Sequence, residues 1–278
     1  MASVAVYRTS AFTDGKAGGN EAGVVLQAGD LDSHSMQDVA SAIGYSETAF
    51  VKSVKDAVIT VRYFTPKTEV PLCGHATIAL LNLLRHTETL QVGGYTLQTP
   101  AGTFKVKISQ NDATLVFCEP RIIQTYDTKR FIESLSINHN TLNAHPAAII
   151  DAGVKELFLG FKDARNLETY IPDMEAIKAV SEAFGVSGVV LYTTSVSDAL
   201  AVVRNFLPAI GIEEESATGT AAASLATFLH THHAPVNDGT IRQGEALGKP
   251  SLIHVSMKEN TIEISGKFRV IDTVDVTL

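Results

Sequence analysis

The chain of 278 residues is short of cysteine, and its two thiols, Cys73 and Cys118, cannot build a disulfide framework. A reducing cytoplasm is the default setting for such a chain. Basic residues are outnumbered: 22 Lys and Arg against 30 Asp and Glu leave a formal charge of −8. No run of Lys or Arg interleaves with aromatics, which argues against a nucleic-acid surface. A small anionic substrate stays open, because a site can be locally positive on an acidic protein. Nothing approaches the ~20 consecutive apolar residues of a membrane span. The opening Met1-Ala2-Ser3-Val4-Ala5-Val6-Tyr7-Arg8 has no basic stretch before a long apolar one, and reads as a first strand rather than a signal peptide. A Gly-rich dinucleotide fingerprint, a P-loop and a nucleophile elbow are all missing. His230, His232 and His233 lack the ligand spacing of a metal site. They read as a helix end, where imidazoles complement the dipole, and no metal is expected.

What is present is one pattern, twice. The first copy reads Ala42-Ile43-Gly44-Tyr45-Ser46-Glu47, then Arg62-Tyr63-Phe64-Thr65-Pro66, then Cys73-Gly74-His75-Ala76-Thr77. The second reads Ala183-Phe184-Gly185-Val186-Ser187-Gly188, then Arg204-Asn205-Phe206-Leu207-Pro208, then Ser216-Ala217-Thr218-Gly219-Thr220. Glu47 and Gly188 are separated by 141 positions, Arg62 and Arg204 by 142, Cys73 and Ser216 by 143. Solenoids and propellers repeat every ~20–50 residues, so a period this long is a duplicated domain. Two halves of this size each suffice for a hydrophobic core. The halves are expected at 1–119 and 120–278, crossing over at Glu119-Pro120-Arg121, with the C-terminal strand free to pack back on the first half. The copies differ at a carboxylate, since Glu47 corresponds to Gly188; a cleft between the halves would hold one such acid.

Short alternating segments predict strands in each half, among them 24–27, 59–64, 104–108, 114–118, 147–151, 156–161, 188–193, 199–206, 252–256, 261–265 and 268–276. Met36, Val39, Ala40 and Ile43 share one helical face behind a cap at Ser33 or Ser35, and Ile177, Val180 and Phe184 do the same later. Gly44 and Gly185 end these two helices. Residues 75–86 and 219–230 are apolar or small nearly all round, which predicts a buried central helix in each half. Residues 231–251 show weak periodicity and read as loop.

Both buried helices open on small residues, Cys73-Gly74-His75 and Ala217-Thr218-Gly219-Thr220. A helix N-terminus leaves N–H groups unpaired and carries partial positive charge, so the matched pair reads as an anion site for a substrate carboxylate. Either turn alone reads rather as tight packing, and it is the matched pair that reverses this. Glu47, at a helix-to-strand junction among apolar residues, is a candidate proton carrier with a raised pKa. Its plain alternative is a surface glutamate. His75 reads as a second proton carrier or as a hydrogen-bond donor, neutral because the helix dipole disfavours an imidazolium. Cys73 sits where a thiol pKa falls. Its counterpart is Ser216, so a two-thiol mechanism is unavailable and Cys73 reads as packing. The run Glu213-Glu214-Glu215 reads as a solvated turn from which one acid can reach the cleft.

Taken together, Gly19-Asn20, Ser46-Glu47-Thr48-Ala49-Phe50-Val51, Arg62-Tyr63-Phe64-Thr65-Pro66, Cys73-Gly74-His75-Ala76-Thr77 and Ala217-Thr218-Gly219-Thr220-Ala221 resemble the PhzF-like proteins of phenazine biosynthesis. That family is built on the diaminopimelate-epimerase fold, and the resemblance spans essentially the whole chain. It implies an α+β fold of two β-barrel-like halves, each around a central helix. It also implies a cofactor-free isomerase, often a homodimer, with its site between the halves. The family's glutamate base falls on Glu47 and its histidine on His75. The carboxylate-binding turns fall on Gly74 and Gly219, with Asn20 and Thr220 beside them as substrate-binding residues. The chain departs from the phenazine enzymes where their Asp-Pro is Glu215-Ser216, their serine is Thr220, and their proline after Gly-Asn is Glu21. A longer acid and a bulkier alcohol reshape the cleft, so the fold is carried over more directly than the substrate.

The combined reading is a cytoplasmic isomerase, acting on a small carboxylate and on neither nucleic acid nor membrane. Glu47 moves a proton between carbons while His75 and Glu215 orient the substrate. The alternatives are an epimerase or racemase using Cys73, and a metabolite-binding protein without turnover.

Overall fold

The computed structural model describes residues 3–15, 17–118, 120–259 and 261–278. Glu119, the first residue of the expected crossover, lies outside them. The first stretch of chain forms β1 (Ser3–Ala11), β2 (Asn20–Val25), α1 (Ser33–Ile43), β3 (Glu47–Lys55), β4 (Val58–Phe64), β5 (Glu69–Val70), α2 (Gly74–His86), β6 (Gly93–Thr99), β7 (Gly102–Ile108) and β8 (Ala113–Cys118). There follow β9 (Arg121–Tyr126), α3 (Lys129–Ile132), β10 (Ala147–Asp151), β11 (Lys155–Gly160), α4 (Ala164–Glu168), α5 (Met174–Phe184), β12 (Gly188–Thr193), β13 (Ala201–Leu207) and β14 (Ile212–Glu215). The chain ends with α6 (Gly219–His232), β15 (Asp238–Gln243), β16 (Ser251–Lys258), β17 (Thr261–Ser265) and β18 (Phe268–Thr277).

These elements form two compact units, residues 1–116 with 265–278 and residues 117–264. The end of the chain belongs to the first unit because β18 runs antiparallel along β1, from Ser3 opposite Thr277 to Ala11 opposite Phe268.

Each unit repeats one order of strand pairing. In the first, β18, β1 and β2 are antiparallel, β2 runs parallel to β3, β3 antiparallel to β4, β4 parallel to β6, and β6 antiparallel to β7. In the second, β9, β10 and β11 are antiparallel, β11 runs parallel to β12, β12 antiparallel to β13, β13 parallel to β15, and β15 antiparallel to β16. The parallel steps need crossovers, and α1 and α5 supply the matched ones before β3 and β12. Both helices stop at a left-handed glycine, Gly44 at φ 71° and Gly185 at φ 62°. The cap of α1 is Asp32 rather than Ser33 or Ser35. Its carboxylate accepts the Ser35 N–H at 2.8 Å, and the helix starts one residue later.

The two central helices are buried as their composition predicts. Residues 75 to 84 of α2 are buried without a break, as are 221 to 229 of α6. Within its unit α2 packs on β1, β2, β3, β7 and β18. Segment 231–251 is not a loop throughout: β15 runs through it, followed by a short turn at Glu245–Leu247. Only Ile241 and Gln243 of β15 are buried, so its pattern is weak; pairing with β13 on one side and β16 on the other makes it a strand.

A matched device sits ahead of each central helix. Arg62 grips Glu69 through two bonds of 2.7 and 2.6 Å and lies over the Phe64 ring at 5.1 Å. Arg204 grips Glu214 through two bonds of 2.9 Å and lies over Phe206 at 4.9 Å. These bidentate pairs hold β5 against β4 and β14 against β13, just before the turns that open α2 and α6. Glu213-Glu214-Glu215 is therefore a strand and not a solvated turn, and Glu215 is buried. No helix among the described residues is long and apolar enough to cross a membrane.

Candidate active site

In the first unit four of the expected residues converge. His75, in the first turn of α2, is buried, and its Nε2 lies 3.3 Å from Glu47 Oε2 at the start of β3. Ser46 Oγ is also 3.3 Å from Nε2. On the other side of the ring Asn20 Nδ2 lies 3.2 Å from Nδ1, and Cys73 Sγ 3.4 Å. An amide N–H donated to Nδ1 makes that nitrogen the acceptor and leaves Nε2 as the ring's N–H, facing the carboxylate. Glu47 Oε2 is itself buried and has no hydrogen bond of good geometry, so it keeps acceptor capacity.

The backbone explains why these groups meet. Gly19 has φ 83°, and a Cβ there would fall 2.3 Å from Ser10 Oγ and 2.5 Å from the Ala11 carbonyl oxygen. Only glycine fits, and it sets Asn20 at the head of β2 against His75. Ala22 and Glu47 are register partners on the parallel strands β2 and β3. Cys73 is the N-cap of α2 and makes no side-chain cap bond. A Cβ built on Gly74 meets nothing within 4 Å, so the space before this helix terminus is open to an approaching group. Glu47, Cys73 and His75 each bring one ligand atom within 4.8 Å of the others. That is a donor set zinc accepts, distinct from the three histidines weighed in the sequence.

In the second unit the turn opening α6 is tied down by a polar network. The Thr218 N–H donates to Gln243 Oε1 at 3.0 Å, and Gln243 Nε2 donates to the Glu215 carbonyl at 2.8 Å. Asn205 Nδ2 donates to Thr218 Oγ1 at 3.1 Å and to Glu156 Oε1 at 2.8 Å. Gly219 is buried and Thr220 half-buried in the first turn of α6. Glu156 is wholly buried, and burial, with the nearby Glu215 charge adding to it, pushes its carboxyl up to about 7. Sequence reasoning missed Glu156, Asn205 and Gln243. In the sequence Glu156 is marked only by standing at the head of the apolar stretch Leu157-Phe158-Leu159.

A histidine-linked carboxylate thus lies beside an open helix terminus, within a duplicated α+β fold. The chain belongs to the family of phenazine biosynthesis-like proteins, which it matches over residues 9–271. An uncharacterised isomerase of Clostridium acetobutylicum is 31% identical over 279 residues, covering 93% of this chain and 92% of that one. The trans-2,3-dihydro-3-hydroxyanthranilate isomerase of Pseudomonas chlororaphis is 28% identical over 273 residues, covering 92% and 93%. Among solved structures, a PhzF-family phenazine biosynthesis protein of Bacillus anthracis superposes with a TM-score of 0.88 at 24% identity, both chains being covered in full.

Proposed function

We propose that the protein moves a proton between carbons of a small carboxylic acid, without a cofactor, and that Glu47 carries the proton. The reading rests above all on the contact between Glu47 Oε2 and His75 Nε2 at 3.3 Å, made by two nearly buried side chains. Glu47 takes a proton from an acidic C–H, becomes a carboxylic acid, and returns the proton at another carbon. His75 stands beside the carboxylate with Nε2–H facing it, while Asn20 fixes the ring. Negative charge developing on the substrate carboxylate is stabilised by backbone N–H groups at the N-termini of α2 and α6, at Gly74 and Gly219, with Thr220 beside the second. Glu215 orients the substrate. The Pseudomonas relative's substrate, trans-2,3-dihydro-3-hydroxyanthranilate, is the first compound to try, within a panel of small unsaturated carboxylic acids. Incubation in heavy water reads the result: deuterium enters a carbon position of at least one compound, and Glu47→Gln stops it.

A second reading has one observation in its favour. Cys73 Sγ lies 3.4 Å from His75 Nδ1 at a helix N-cap, within reach for the ring to take up the thiol proton, as an epimerase or racemase would need. Under that reading Cys73→Ser abolishes exchange, and product chirality is lost.

A further inference from the structure

The helices of this chain begin in two ways. α1, α4 and α5 each follow an aspartate whose carboxylate accepts the third N–H of the helix: Asp32 from Ser35, Asp163 from Asn166 and Asp173 from Ala176. The buried helices α2 and α6 follow Cys73 and Thr218, and neither side chain caps its helix. A thiol caps poorly, so Cys73 needs no further cause. Threonine is a favoured capping residue, and a Thr218 hydroxyl that does not cap does need one. Two buried amides supply it. Asn205 Nδ2 donates to Thr218 Oγ1 at 3.1 Å and Gln243 Nε2 donates to it at 3.2 Å. A hydroxyl oxygen accepts two hydrogen bonds, so no lone pair is left for the N–H of Thr220 or Ala221.

Gln243 also fixes the turn itself. Its Oε1 accepts the Thr218 N–H at 3.0 Å, and its Nε2 donates to the Glu215 carbonyl at 2.8 Å, so one side chain ties both ends of the turn. The next residue, Gly244, has φ 87°, and a Cβ there would stand 2.6 Å from the Ser216 carbonyl oxygen. Glycine thus lets the end of β15 lie against the turn. The ladder of α6 begins only with the Ala222 N–H, bonded to the Thr218 carbonyl at 3.0 Å. The N–H groups of Gly219, Thr220 and Ala221 come before it, and Gly219 and Ala221 are buried. We infer that Gln243 is a positioning residue: it holds the Thr218 hydroxyl off α6, and so keeps the first N–H groups of that helix for the substrate carboxylate. This rests on the reading that the α6 terminus holds that carboxylate. Gln243 itself touches no substrate.

The test uses the whole protein with benzoate as the probe. Calorimetry gives the affinity, and amide NMR follows Gly219, Thr220 and Ala221. In the parent, benzoate should bind and shift these amides. In Gln243→Met one lone pair of Thr218 Oγ1 is released and can cap the helix. Benzoate should then bind about tenfold or more weakly, the loss expected for a hydrogen bond to a charged group. Adding Thr218→Val to Gln243→Met removes the competing oxygen and should recover most of the lost affinity, which repair of a merely structural defect would not do. Parental affinity in Gln243→Met, or no recovery in the double variant, overturns the assignment. Should Gln243→Met not fold, Gln243→Glu replaces it; this variant keeps an acceptor for the Thr218 N–H, lacks the donor to Oγ1, and is read by the same outcomes. A parent that fails to bind benzoate, or binds it without shifting the three amides, defeats the carboxylate-holding reading itself and the assignment with it.

Discussion

Glu156 lies directly across from Gly188 on neighbouring parallel strands, and Ala22 and Glu47 occupy the matching rung of the other unit. Each unit thus pairs one carboxylate with one small residue, but on exchanged strands. Gly188 is the reason. A Cβ there would stand 2.1 Å from the Phe206 carbonyl oxygen and 2.7 Å from Leu207 Cδ2, so no side chain can occupy the position that corresponds to Glu47. The asymmetry between the copies is a matter of space as much as of chemistry.

That crowding has an open counterpart at Gly74. Gly188→Ala should destabilise the second unit by about 1–3 kcal/mol, the usual cost of overpacking. Gly74→Ala, whose new Cβ meets nothing within 4 Å, should leave the unfolding midpoint unchanged yet weaken binding of a small carboxylate. Urea denaturation and ligand titration on the two variants check both outcomes.

The two Arg–Glu clamps have the same geometry and different burial. Arg204 and Glu214 have side chains 10% and 8% exposed, against 26% and 33% for Arg62 and Glu69. Arg204 also donates to the Tyr170 carbonyl at 2.7 Å. Arg204→Met strands a buried acid and should cost about 3–5 kcal/mol. Arg62→Met should cost about 1 kcal/mol or less, since water screens its pair. Equal losses in thermal or chemical denaturation would contradict this.

Glu156 makes stability depend on pH. Its carboxyl is raised from 4.5 to about 7 in the folded protein. Between those values the folded state holds more protons than the unfolded state, so stability falls as pH rises through that window, by about 3 kcal/mol at most. Below it the group contributes no slope; above it the full penalty remains. Glu156→Gln should remove this component, which comparison of unfolding free energies for the two proteins across the window measures.

Zinc offers a probe of the first cluster. Because Glu47, Cys73 and His75 bring ligand atoms within 4.8 Å of one another, added zinc should occupy them and stop turnover. A chelator should restore that turnover and leave the untreated enzyme unaffected. Loss of activity on chelation alone would mean that a metal takes part.

Much of the fold was legible in the sequence because it follows from period and punctuation. The all-round apolar helices α2 and α6 and the glycine stops at Gly44 and Gly185 were readable from local pattern. β15 was not, because its pairing partners, rather than its own residues, make it a strand. The acids after Gly211 looked solvated because the clamp to Arg204 joins residues ten positions apart, which no local pattern records. In the site, Glu47, His75 and Asn20 were named from motifs, and their mutual contacts bear on their chemistry. Glu156 escaped because no motif marks it. What distinguishes it is a buried environment and an unpartnered oxygen, and both are properties of the packed chain.

The most direct measurement is solvent deuterium transfer into trans-2,3-dihydro-3-hydroxyanthranilate, or into whichever small carboxylic acid of the panel the parent labels, compared across the parent, Glu47→Gln and Cys73→Ser. If Glu47 carries the proton, Glu47→Gln should bind the ligand nearly as well as the parent, and its exchange should fall by roughly 10²–10⁴, the usual contribution of a positioned base. Cys73→Ser should keep most of the exchange. Near-parental exchange in Glu47→Gln together with its abolition in Cys73→Ser would contradict the glutamate mechanism and move the chemistry to the thiol.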